Sequence, residues 1–140
     1  MNEAHGSDHI GRSIRAVLAA LIVGIVLTVA TDAALHAANI LPPLGQPTSD
    51  PLLLLAATYR TIYAVLSTYI GVRLAPSRPM AHAMVLGVLG LLANLIGGLV
   101  MWNHPAVVGH RWYPLVLAGL AIPSAWLGGR FFLMQTRATT

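Results

Sequence analysis

The 140 residues are 56% hydrophobic and 9% charged, with a mean hydropathy of +0.73, whereas a soluble domain averages about 25% charged residues. That excludes an ordinary water-soluble domain and predicts an all-α integral membrane protein. The net charge of +4 does not indicate a nucleic-acid partner, because the basic residues are few, all arginine, and scattered around apolar runs. Cysteine is absent, which removes disulfides, thiolate chemistry and Cys-ligated metal.

The first 13 residues are polar and read as a short unstructured arm. His5 and His9 stand four apart, but nothing around them favours a helix, so no metal role is assigned. The first apolar run extends from Ile14 to about His36, long enough to span a bilayer at ~20 residues. Arg12, Arg15 and the small residues Thr28-Val29-Ala30 also fit a cleavable leader. Apolar sequence continues to Ala38, past an ordinary leader core, and favours a retained helix. Ala16, Ala20, Gly24, Thr28, Asp32 and His36 recur every four residues, a spacing that lets a second helix approach closely.

Residues 39 to 51 form a proline-rich loop. Asp50-Pro51 is a helix-start signal, Asp as cap and Pro in the first turn, and opens a second span over 51–74. A short loop with a second start signal, at Ser77 and Pro79, leads to a third span over 80–102. A loop with His104, Gly109, His110 and Arg111 precedes a fourth span over 113–134, and 135–140 is a polar tail. Pro123 falls inside the fourth span, where it removes a backbone hydrogen bond, frees the Gly119 carbonyl and predicts a kink. The fold class is therefore a four-helix transmembrane bundle.

Orientation follows from the arginines. Arg12, Arg15, Arg73, Arg78, Arg130 and Arg137 fall on the side of the termini and the 75–79 loop, against Arg111 on the other. By the positive-inside rule both termini are cytoplasmic, in a bacterial-type inner membrane. Trp102, Trp112 and Tyr113 then mark the outer interface and Tyr69 the inner one.

Arg60, within Tyr59-Arg60-Thr61-Ile62-Tyr63, is the costly residue. An arginine at the centre of a spanning helix is unfavourable by roughly 2.5–3.5 kcal/mol and ordinarily has a partner. At a rise of ~1.5 Å per residue, Arg60 and Asn94 each lie about 12 Å below the outer end of their spans and Asp32 about 6 Å. Arg60 extends along its stem toward Asp32. Small residues share its face (Ala56, Ala64, Ser67, Gly71), and Asn94 lies on a similar stripe with Ala83, Gly87, Gly90 and Gly97. Asp32, His36, Tyr59, Arg60, Tyr63 and Asn94 are thus expected to form one polar layer, architectural or substrate-binding.

No phosphate loop, H-E-x-x-H or G-x-S-x-G is present, and no glutamate follows Glu3, so neither an enzyme nor a cofactor is expected. Four short helices with an acid in the first resemble small multidrug-resistance transporters in outline. Those carry glutamate rather than aspartate, are shorter, and several insert in both orientations, so the chain is not assigned to them. Two functions remain: a structural or accessory membrane subunit with an Asp32–Arg60 ion pair, or an oligomeric transporter with an anion or proton site in the outer half. The expected partners are the lipid bilayer and either further copies of the chain or another membrane protein.

Overall fold

The computed structural model describes residues 3–105, 107 and 110–138, with side chains from His9 onward. Gly109, the tail beyond Ala138 and the His5 side chain lie outside the described residues. Four helices follow in order, α1 (Glu3–Ala37), α2 (Asp50–Leu74), α3 (Pro79–Val100) and α4 (Trp112–Ala138), with no strand among the described residues. All four are long and apolar enough to cross a membrane.

The arm expected to be unstructured is helical from Glu3 onward. Nucleation is the costly step of helix formation and extension is cheap, so the span continues backward into polar sequence. The tail is helical to Ala138 for the same reason.

α1 stops where Asn39 adopts a left-handed conformation, φ 55°. The Asn39 and Ile40 N–H groups donate to the carbonyls of His36 at 3.0 Å and Leu35 at 2.9 Å. This is the closing pattern in which Asn substitutes for Gly. The start signals resolve one residue away from their expected places. Ser49, not Asp50, occupies the cap of α2, without a side-chain hydrogen bond. Arg78, with φ 48°, precedes α3 in place of Ser77. In both cases the proline still stands in the first turn. α4 runs through Pro123 as one helix, and Ser124 Oγ donates to the Leu120 carbonyl at 2.6 Å beside it.

The helices run up, down, up and down. Ala20 meets Gly71 while Asp32 meets Arg60, so α1 and α2 are antiparallel. Gly98 meets Pro114 while Ala83 meets Gly129, so α3 and α4 are antiparallel. Both chain ends therefore lie at one end of the bundle, with the 38–49 and 101–111 loops at the other. α1 packs on α2, lightly on α3, and not on α4.

α2 meets its neighbours most closely near the termini. A Cβ on Gly71 would stand 2.6 Å from Ala20 Cβ and 3.3 Å from the Ala16 carbonyl, so the four-residue stripe of α1 seats on α2 there. A Cβ on Gly128 would stand 2.5 Å from the Val65 carbonyl and 2.9 Å from Thr68 Cβ. Only glycine lets α4 come that near to α2. Ala83 and Gly87 of the small stripe are buried in α3, and Leu86, which is not on that stripe, is buried beside them. That stripe bends at its far end. Gly97 meets nothing within 4 Å, and Gly98 takes its place against Pro114.

Candidate functional site

Asp32 projects from α1 between two consecutive residues of α2. Its Oδ2 accepts from Arg60 Nη2 at 2.6 Å, and its Oδ1 accepts from the Tyr59 hydroxyl. Neighbouring residues on a helix diverge by about 100°, and Tyr59 and Arg60 each take one of the two carboxylate oxygens. One turn further along α2, the Tyr63 hydroxyl and Thr31 Oγ1 share a hydrogen bond of 2.8 Å. The Tyr59 and Tyr63 rings lie 5.8 Å apart, tilted by 47°.

α4 completes the layer. Tyr113 stands with its ring centroid 5.9 Å from Arg60 Cζ, within reach of a cation–π contact. The guanidinium is therefore held by a carboxylate of α1 and a ring of α4. The ion pair keeps about a third of its side-chain surface exposed, 33% for Arg60 and 27% for Asp32. Arg60 extends along its stem to reach Asp32. Its Nε is buried and has no hydrogen-bond partner among the described residues.

Four of the six residues expected in the layer thus meet: Asp32, Tyr59, Arg60 and Tyr63. The other two do not join them. His36 Nδ1 lies 2.7 Å from the Asp32 carbonyl, so its ring turns back along its own helix. Asn94 Nδ2 donates to the Gly90 carbonyl at 2.8 Å, also within its own helix. Asn94 nevertheless shares a cavity with Arg60. Sequence reasoning missed Thr31 and Tyr113. Tyr113 was placed among interfacial aromatics, and nothing in a single sequence says that α4 neighbours α2 in parallel.

A cavity of about 400 Å³ runs from Arg60 and Asn94 toward the termini, walled by all four helices. Its wall is mainly apolar, with hydroxyls from Thr28, Thr61, Ser67, Thr68 and Ser124.

A second polar cluster lies at the loop end. Asp50 Oδ1 accepts from Trp112 Nε1 at 3.0 Å and stands 3.5 Å from His110 Nε2. The residue expected to cap α2 instead ties its first turn to the start of α4. Among the described residues, no three His, Cys, Asp or Glu side chains converge as a metal-ligand set.

Comparison with known protein families, with curated proteins and with solved structures finds no match to this chain. The functional reading therefore rests on the residues alone.

Proposed function

We propose that the chain is a structural or accessory subunit of a bacterial-type inner membrane, with both termini cytoplasmic and the Asp32–Arg60 pair as an architectural bridge. The observation that carries this reading is that Arg60 finds its counter-charge inside the chain, at 2.6 Å on Asp32, whose other oxygen is taken by Tyr59. A guanidinium already paired in this way is poorly placed to receive an anion. The same pairing removes Asp32 from proton relay, and His36 is turned onto its own helix. The six-to-one distribution of arginines supports the orientation.

The transporter reading keeps one observation in its favour, the cavity that Arg60 and Asn94 line. The two readings separate in the folded yield of Asp32→Asn, Arg60→Ala and the double variant. An architectural bridge predicts low yield for each single variant and recovery in the double, because an unpaired buried charge is what is penalised. Three well-folded variants that lose proton or anion flux in proteoliposomes contradict it. Orientation is checked with single cysteines in this Cys-free chain. Ser77→Cys is expected to be shielded from an impermeant maleimide in intact cells, and Ser49→Cys to react.

A further inference from the structure

The cavity is polar in a particular way. Thr61 Oγ1 donates to the Ala57 carbonyl at 2.7 Å, Ser67 Oγ to Ala64 at 3.2 Å and Ser124 Oγ to Leu120 at 2.6 Å. Their protons are used within their own helices, so what they offer the cavity is lone pairs. Asn94, with Nδ2 bonded to Gly90 at 2.8 Å, offers its carbonyl oxygen and one remaining N–H. Thr68 lines the cavity and its hydroxyl makes no hydrogen bond among the described residues. A hydroxyl left open to a mainly apolar cavity is available to a ligand hydroxyl.

Charge limits the ligand as well. The single cation on the wall is balanced by Asp32. An ionised ligand would face an apolar wall and a nearby carboxylate, with no uncompensated opposite charge to repay its desolvation. The volume of about 400 Å³ falls within the ~300–1,000 Å³ of small-molecule sites. Access is lateral: residues of both α1 and α4 line the cavity, yet these two helices do not pack against each other.

We propose that this cavity binds a neutral, lipid-soluble molecule with an apolar body and one hydroxyl group, admitted from the bilayer between α1 and α4. The hydroxyl donates to the Asn94 carbonyl oxygen or to Thr68 Oγ1, and the body lies along Leu21, Ile25 and Leu120. The proposal rests on the membrane placement given above but not on the architectural role of the ion pair.

The test uses the full chain in phosphatidylcholine vesicles at pH 8 with three diazirine-bearing probes of one chain length: a primary alcohol, its methyl ether and the carboxylic acid. Cross-linked residues are mapped by mass spectrometry. The expected result is alcohol label on the cavity-lining Leu21, Gly24, Thr28, Leu117, Leu120 and Ala121, up to about tenfold above ether and more above acid, since one buried hydrogen bond is worth up to about that factor and one avoided buried charge more. Thr68→Val and Ala121→Phe are expected to reduce that label while Ile22 and Ile96, on exposed faces, remain labelled. If either variant fails to fold, the comparison of three probes on the unaltered chain still decides. Equal label from ether or acid, or label confined to Ile22 and Ile96, overturns the proposal. Label on neither set withdraws the membrane placement, and the proposal with it.

Discussion

The two ends of α2 are held to their neighbours mainly by different means. Near the chain termini, α2 meets α1 and α4 through glycine and alanine. Gly71 lies against Ala20 and Gly128 against the Val65 carbonyl, at separations that leave no room for a Cβ. Near the loops, the contacts are polar and long-armed: Tyr59 and Arg60 on Asp32, Tyr63 on Thr31, and Trp112 on Asp50. In lipid the hydrophobic effect gives helices no reason to associate, leaving close packing and polar contact as the two available means. Around α2 the first predominates near the termini, where the Tyr69 hydroxyl also donates to Gln135, and the second near the loops, where Gly98 against Pro114 still keeps α3 and α4 close. The cavity lies between.

The largest expected effect breaks the close-packed end. Gly128→Leu places a side chain against the Val65 backbone and separates α4 from α2. A loss of about 3 kcal/mol or more in unfolding free energy in mixed micelles is expected, at the upper end of overpacking costs. Arg60→Ala breaks the polar end and leaves Asp32 unpaired. Its loss is expected at about 1–3 kcal/mol, below that of a fully buried pair because the side chains keep partial exposure. Tyr63→Phe removes only the bond to Thr31 and is expected to cost about 0.6 kcal/mol, the average for interhelical hydrogen bonds in membranes. The smallest effect sharpens the contrast among glycines. Gly97→Ala meets nothing within 4 Å and is expected to stay within about 0.5 kcal/mol of the parent, as substitutions away from packed features do. A loss at Gly97 comparable to that at Gly128 contradicts the division into packed and open glycines.

Much of this arrangement was legible in the sequence. Four apolar runs separated by proline-bearing loops set the helices, because length and hydropathy act locally. Arg60 and Asp32 could be paired by depth, since few charged residues lie in the runs and each needs compensation. Contacts that depend on which helices are neighbours were not legible. Tyr113 reaches Arg60 only because α4 runs beside α2 in parallel, and Asp50 serves as an acceptor for Trp112 rather than a cap for the same reason. Asn94 and His36 were misplaced for a different reason. Each has a carbonyl acceptor on its own helix four residues back, and such a local bond competes with any interhelical one.

The central claim, that Asp32 and Arg60 form the bridge holding α1 to α2, is tested most directly by their coupling free energy. It is obtained from the unfolding equilibria of the parent, Asp32→Asn, Arg60→Met and the double variant in one micelle composition. The account predicts a coupling of about 1 kcal/mol or more, with the double variant more stable than the sum of the two single losses implies. Additive losses, with a coupling within about 0.3 kcal/mol of zero, contradict it.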